Sequence, residues 1–279
     1  MRVLVTGGNG FIGRHIVKEL LCNGHQVTAI DTNIHNHLQN VIYVKVSINT
    51  DLTEYMEGCD CVYHLAAAMG VDDTDSGPTN TLTTNIEGTA NVLKCAVRAN
   101  IKRFIYTSSS EVYGEPVSIP QNEETTPLNS RLPYAIVKNV GESYCKIYFK
   151  EKKLNYTIFR FFNTYGKRQT NDYVLSKFIN LAKQNNDITI YGKGFQSRTF
   201  CYIDDNIEAV IKSFEENKFV NEIVNIGNNK VITILKLAKI IKKITKSKSN
   251  IINVRPLEEG DMKRRKPDLN KIWDNYSNG

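Results

Sequence analysis

The sequence predicts an α/β protein built on a doubly wound parallel sheet, with a smaller α/β lobe towards its C-terminal end. Three observations carry this expectation. Short β-branched runs alternate with longer helical patterns through the first half of the chain. Runs such as "VLV" are apolar on both faces, as strands covered by helices on both sides must be. A glycine cluster, "TGGNGFIG", lies between the first run and the first helical pattern.

The elements follow in order. "RVLVT" reads as the first strand, and a helix runs from Phe11 to about Asn23. "QVTAI", "VIYVKV" and "DCVYHLA" read as the next three strands. A helix over about 79–98, the strand "RFIYT", a helix over about 133–151 and the strand "YTIFRFF" complete the regular alternation. Beyond Asn163 the pattern loosens into helices near 174–184, 205–216 and 233–243, with extended "ITIYG", "EIVNIG" and "NIINVRP" between and after them.

The chain has 279 residues, of which 41% are hydrophobic and 23% charged, which is ordinary for a globular protein and leaves room for two unequal domains. Its formal net charge of +7 is spread along the chain apart from "KKITKSKSN" and "KRRK", so a nucleic-acid partner is not expected. "MRVLVTGGNGFIG" lacks the apolar core of a signal peptide and no run is long enough to span a bilayer, which gives the expectation of a cytoplasmic protein without a membrane partner. The six cysteines are scattered, and Cys59 and Cys61 have the wrong spacing for a C-x-x-C motif, so no metal is expected.

Gly7, Gly10 and Gly13 form a G-x-x-G-x-x-G turn between strand and helix, a variant of the dinucleotide fingerprint. Glycine permits the tight turn and the close approach of backbone to a pyrophosphate, and the helix N-terminus faces the negative charge. Asp31 ends the second strand, where a carboxylate accepts hydrogen bonds from the adenosine ribose. An acid there repels a 2′-phosphate and no arginine follows in "DTNIHNH", which favours NAD over NADP. The fold expectation is therefore a Rossmann-type NAD-binding domain over 1–163. A mainly substrate-binding lobe would cover 164–279, with parts around 195–226 returning to the first domain.

"LPYAIVKNVGE" places Tyr134 and Lys138 one turn apart on one helix face. An ammonium beside a phenol favours the phenolate by roughly 3–4 kcal/mol at an effective dielectric of about 20, before desolvation is counted. Lys138, with help from a positive nicotinamide, is thus expected to bring the pKa of Tyr134 towards neutrality, so that it can act as a base. "TSSSEVYG" stands at the carboxyl end of a predicted parallel strand, where sheets of this class bind their ligands.

Together these motifs resemble the extended short-chain dehydrogenases/reductases of the nucleotide-sugar epimerase/dehydratase family. "TGGNGFIG", "HLAA", "NIEGTANVLKCA", "SSSEVYG", "PYAIVK", "RFFNTYG", "GFQSRTFCYIDD", "VNIGN" and "RRKPD" occur in the family's order. The resemblance implies that Tyr134 takes a proton from a sugar hydroxyl, usually at C4, while hydride passes to tightly held NAD. It implies that Lys138 tunes Tyr134 and holds the nicotinamide ribose, and that Ser109 bonds the same sugar hydroxyl. Phe11, Ile12, Ile48, Leu65, Ala66, Ala67 and Thr107 join Gly7, Gly10, Gly13 and Asp31 around the cofactor, with Ser108 beside Thr107 on the nicotinamide side. Ser110, Glu111, Asn163, Arg198 and Arg265 are implied on the substrate side, Asn163 and Arg198 at the nucleotide diphosphate.

The chain departs from the family in places. "VSIN" stands where Asp-Ile is usual, "YGKR" replaces Tyr-Gly-Pro-Arg, Val137 replaces a Ser or Thr, and relatives usually continue beyond "IWDNYSNG". C4 epimerisation of a UDP-sugar needs only Ser109, Tyr134, Lys138 and NAD, and ranks first among the implied activities. UDP-glucuronate decarboxylation, towards which Arg265 in "RRKPD" points, and 4,6-dehydration, in which dTDP-glucose dehydratases carry Asp-Glu where this chain has Ser110-Glu111, are the alternatives; Ser-Glu there resembles both GDP-mannose dehydratases and UDP-glucuronate decarboxylases. A noncatalytic NAD-sensing protein on the same fold is the different class. The resemblance also implies a homodimer through the helices over 79–98 and 133–151, with Ile86, Ala90, Leu93 and Val97 as an apolar stripe.

Overall fold

The computed structural model describes residues 1–35, 37–67, 78–256 and 262–276. Every candidate site residue lies within them. The chain runs β1 (Arg2–Thr6), α1 (Phe11–Cys22), β2 (Gln26–Asp31), β3 (Val41–Lys45), α2 (Thr53–Met56), β4 (Cys61–His64), α3 (Pro78–Arg98) and β5 (Arg103–Ser109). A 3₁₀ turn (Ser110–Tyr113), α4 (Pro133–Lys152), β6 (Tyr156–Phe161) and β7 (Thr164–Tyr165) follow. Then come α5 (Val174–Lys183), β8 (Ile188–Tyr191), β9 (Ser197–Thr199), β10 (Cys201–Tyr202), α6 (Ile203–Glu215), β11 (Glu222–Ile226), β12 (Val231–Thr233), α7 (Ile234–Ile244), β13 (Ile251–Val254) and α8 (Asn270–Tyr276).

Seven strands form one sheet in the order β11-β6-β5-β4-β1-β2-β3, and all six pairings are parallel. From β1 the chain winds one way to β3, then restarts at β4 and winds the other way to β11. The restart places a crevice between the carboxyl ends of β1 and β4, the position where sheets of this kind bind ligands.

Alternation along β1 sends Val3 and Val5 to one face and Leu4 to the other. The first face packs under α1 and α6 with Ile16, Leu20, Ile207 and Ile211. The second packs under α3 and α4 with Val92, Leu93, Ala96 and Cys145. A separate core of Phe178, Ile188, Ile190, Leu237 and Ile241 joins α5, β8 and α7. Three two-stranded pairings, β7 with β10, β9 with β12 and β8 with β13, lie outside the main sheet. Among the described residues no helix is long and apolar enough to cross a membrane.

Candidate active site

The glycine turn is shaped by what lies against it. Gly7 has φ +70, a conformation that costs little only for glycine, and a Cβ there would stand 2.7 Å from the Ala66 backbone nitrogen. A Cβ on Gly13 would collide with the Gly7 carbonyl oxygen. The turn is tied down by Gly7 N donating to Ile30 O at 2.7 Å and Gly10 N donating to Gly7 O at 3.1 Å. Gly10 caps α1 without a side chain, and the first turn of α1 holds no acid. The helix therefore presents backbone donors to an anion.

Asp31 stands next to this turn. Its Oδ2 accepts from Asn9 N at 3.0 Å and its Oδ1 from Asn33 N at 3.1 Å, so the carboxylate also fixes the loop around it. Leu65, Ala66 and Ala67 follow β4 and are half-buried, as are Phe11 and Ile12. Ala66 N donates to Thr6 Oγ1 at 3.3 Å, which draws the ends of β4 and β1 together. A narrow turn with no room for side chains, uncapped helix donors and an adjacent carboxylate fit a dinucleotide. Ile48 is only 7% exposed and packs in the α3-side core against Gly88.

β5 ends in Thr107, Ser108 and Ser109, and the alternation of a strand turns them differently. Thr107 Oγ1 donates to His64 O at 3.1 Å, and its carbonyl accepts from Lys138 Nζ at 2.8 Å. Ser108 is buried, and its Oγ donates to Glu142 Oε1 at 2.6 Å, which turns its hydroxyl towards α4. Ser109 Oγ accepts from Glu111 N at 3.2 Å and begins the 3₁₀ turn in which Ser110 is buried.

Tyr134 and Lys138 are one turn apart on α4, with Lys138 Nζ 5.8 Å from the Tyr134 ring centre and 5.1 Å from that of Tyr106. Burial pushes Lys138 down to about 8, against the pull of the Glu142 carboxylate. Burial, followed by the proximity of Tyr173 and Glu111, holds the Tyr134 phenol above its ordinary value, and hydrogen bonding to Ser109 only partly opposes this. Lys138 directs its ammonium at the Thr107 carbonyl, so the protein's own charges do not yet make Tyr134 a base.

Glu111 is brought against Arg265, with Nη1 2.8 Å from Oε1. Arg265 is 5% exposed, which a solvated charged loop would not be. Its Nη2 lies 2.9 Å from Met262 Sδ, while its Nε and Glu111 Oε2 are buried without a partner among the described residues. The segment is strapped on both sides: Lys263 N donates to Glu115 Oε2 at 2.9 Å, Arg265 N to Ser197 O at 3.2 Å, and Gln121 N to Lys266 O at 2.8 Å. Asn163 and Arg198 lie in one neighbourhood, since Asn163 Nδ2 donates to Thr199 O at 2.8 Å. Arg198 Nη1 donates to Ser197 O at 2.9 Å and to Met262 O at 2.6 Å, and so also holds the Arg265 segment.

Sequence reasoning missed Tyr173 beside Tyr134, and the buried Glu142 and Arg160 behind it. The second miss had a signal, since an arginine in the apolar run "IFRFF" needs a buried acid, and "KNVGE" supplies one a turn after Lys138.

Comparison with known proteins agrees with this geometry. UDP-glucuronic acid decarboxylase 1 of Danio rerio is 37% identical, over 97% of this chain and 66% of that protein, so the chain spans just under two thirds of this relative's length. A solved UDP-glucose 4-epimerase of Thermotoga maritima, with UDP-glucose, superposes with TM-score 0.91 at 31% identity, covering 98% of this chain and 92% of that one. UDP-glucuronic acid 4-epimerase of Bacillus cereus, solved with UDP-glucuronic acid and NAD, gives TM-score 0.90 at 31% identity, covering 98% and 92%. Residues 3–227, which take in the glycine turn, the serines, the tyrosine and lysine and the last strand of the main sheet, match the sequence profile of one family, and the chain belongs to it: the NAD dependent epimerase/dehydratase family.

Proposed function

We propose that the protein oxidises C4 of a UDP-linked uronic acid and releases its C6 carboxylate as carbon dioxide, leaving a UDP-pentose. The observation that carries this reading is the buried Arg265, held by Glu111 at 2.8 Å in the turn that follows Ser109. A nearly dehydrated guanidinium with an unpartnered Nε suits a carboxylate on the substrate better than a neutral hydroxymethyl group.

Tyr134 accepts the proton of the C4 hydroxyl, and Ser109 bonds the same oxygen. NAD, which Gly7, Gly10, Gly13 and Asp31 would hold, would supply the hydride acceptor and a positive charge. That charge matters, because the protein's own groups leave Tyr134 above its ordinary pKa. With C4 as a ketone, the carboxylate is β to it, so the C5–C6 bond breaks with its electron pair flowing into the C4 oxygen. Tyr134, protonated by the first step, hydrogen-bonds that oxygen; a proton from solvent restores C5–H, and the hydride the cofactor would have taken from C4 would return to it as Tyr134 gives its proton back to the C4 oxygen. Arg265 orients the departing carboxylate and Glu111 orients Arg265. Asn163 and Arg198 hold the diphosphate.

C4 epimerisation is the second reading, favoured by the likeness to the two solved epimerases, and Ser109, Tyr134 and Lys138 suffice for it. It leaves Arg265 and Glu111 without a chemical task. Mass spectrometry of the products from UDP-glucuronate, UDP-glucose and UDP-GlcNAc separates them. Loss of carbon dioxide from UDP-glucuronate is expected; an isomer of unchanged mass would replace this reading with epimerisation. A chain that binds NAD and leaves all three unchanged would remove the enzyme reading altogether. The proposal includes a cytoplasmic homodimer through α3 and α4, supported by Ile136 and Ile147, which are 42% and 47% exposed on α4. Leu93 of the expected stripe is instead buried within the chain. Light scattering tests the dimer, and a monomer at micromolar concentration would dismiss it.

A further inference from the structure

Behind the reacting side chains lies a buried ion pair that none of the steps above uses. Glu142 and Arg160 are 2% and 1% exposed. Arg160 donates from Nε to Glu142 Oε1 at 2.9 Å and from Nη2 to Oε2 at 2.6 Å, a bidentate pairing. Ser108 Oγ donates to the same Oε1 at 2.6 Å. On its other side Arg160 donates from Nη1 to the Tyr113 hydroxyl at 2.9 Å, and Tyr113 donates to Asn225 Oδ1 at 2.8 Å. Burial works against the charge on Arg160, but the Glu142 hydrogen bonds outweigh it and hold Arg160 above its ordinary value.

Three members of this network adjoin residues of the site. Ser108 precedes Ser109 on β5, Tyr113 closes the 3₁₀ turn that carries Glu111, and Glu142 stands one helical turn beyond Lys138 and two beyond Tyr134. Stability alone does not account for the pair. Removing two charges from water is costly, and apolar side chains of similar volume often serve the fold as well or better. A bidentate ion pair does two things that apolar packing does not: it fixes the mutual orientation of the segments it joins, and it sets a negative charge near Lys138.

We propose that the Glu142–Arg160 pair is a positioning device that locks the segments bearing Ser109, Glu111, Tyr134 and Lys138 into one frame and keeps Lys138 protonated in the working enzyme. The proposal rests on the reading of those four residues as the reacting group. Lys138 is faced by Tyr134, Glu142 and Cys145 from α4, by Tyr106 and the Thr107 carbonyl from β5, and by His64 from β4. His64 is pushed down to about 3 by burial and by Lys138 itself, so it carries no charge near neutral pH. The Glu142 carboxylate is the main group that supports the ammonium against burial.

The test uses the full chain with NAD. Glu142→Gln keeps the shape and the Ser108 contact but removes the charge, leaving Arg160⁺ behind Lys138. The Lys138 ¹³Cε titration, followed by NMR in selectively labelled protein, is expected to move down by about one pH unit, and the alkaline limb of kcat/KM with it. An unchanged Lys138 midpoint would overturn the electrostatic half of the proposal. This titration needs no sugar turnover, so it stands even if no UDP-sugar proves to be a substrate.

Should Glu142→Gln fail to fold, Glu142→Leu/Arg160→Met removes both charges together. It is expected to match the wild type in melting temperature and NAD affinity, yet to lose roughly 10- to 100-fold in kcat with KM within about twofold. A double variant with wild-type kcat would show that the pair only fills space. If wild type and variant both leave every UDP-sugar unchanged, the proposed activity has failed, and the titration of Lys138 in the double variant still decides between a lowered and an unmoved midpoint.

Discussion

The two ends of the crevice are built in opposite ways. The phosphate-binding end is one short stretch, Gly7 to Gly13, closed by Asp31, and most of its bonds are made by backbone: Gly7 N to Ile30 O, Gly10 N to Gly7 O, Asn9 N to the Asp31 carboxylate. The end proposed to react draws Ser109 and Glu111 from the end of β5 and its turn, Tyr134 and Lys138 from α4, and Arg265 from a strap far along the chain. Side chains hold it together: Arg265 to Glu111, Lys138 to the Thr107 carbonyl, Ser108 and Arg160 to Glu142. A backbone site is vulnerable at its glycines and tolerant elsewhere. A side-chain site is vulnerable at every member, and through each member's partners.

This difference separates binding from turnover, and substitutions can break the separation. The largest effect is expected from Tyr134→Phe, which removes the proposed proton acceptor and leaves the ring in place. Turnover should fall by roughly 10³-fold or more, with NAD affinity unchanged in a fluorescence titration. Retained turnover would remove Tyr134 from the mechanism. Arg265→Ala should follow, with about a 100-fold loss of decarboxylation, because it also leaves the half-buried Glu111 without its cation. If Arg265→Ala turned over UDP-glucuronate at the wild-type rate, the uronate reading would lose its main support.

At the other end the pattern should invert. Gly7→Ala forces φ +70 on an alanine whose Cβ meets Ala66 N at 2.7 Å. Strain of about 1–3 kcal/mol is expected, read as a lower melting temperature and weaker NAD binding, with kcat at saturating NAD close to wild type. A fall in kcat with NAD affinity intact would show that the two ends are not separable. Asp31→Asn should do less, about a tenfold loss of NAD affinity, and should relax the discrimination against NADP. Asp31→Asn with NAD preference unaltered would mean that Asp31 serves only the Asn9 and Asn33 backbone.

The same contrast explains what was legible in the sequence. The sheet and its helices follow from apolar runs and their periods, and the glycine turn is contiguous, so both are visible in one pass. Asp31, Tyr134 and Lys138 are legible because each stands at a fixed offset inside a single element. Tertiary orientation is what local pattern does not carry. Whether Ser108 or Ser109 faces the cleft depends on the pleat at the end of β5, and Ser108 goes to Glu142. That Arg265 meets Glu111 depends on the strap running through Ser197 and Gln121. How far burial opposes the pull of Lys138 on Tyr134 is something their helical spacing does not carry.

The smallest effect expected is also the one that tests that last point. Burial pushes Lys138 down to about 8 from an ordinary 10.5. Between those values the unfolded chain holds a proton at this lysine that the folded chain has lost, so the stability this residue withholds at neutral pH is recovered as pH rises through the window. Turnover runs the opposite way, since the ammonium that supports a phenolate disappears over the same range. Rate should therefore fall severalfold above about pH 8 while wild type gains stability relative to Lys138→Met. Comparing the two chains cancels the other groups that titrate there. The check is the denaturation midpoint of each at pH 7 and at pH 10. A gap that stays constant would place Lys138 near its ordinary pKa, and the alkaline fall in rate would then belong to another group.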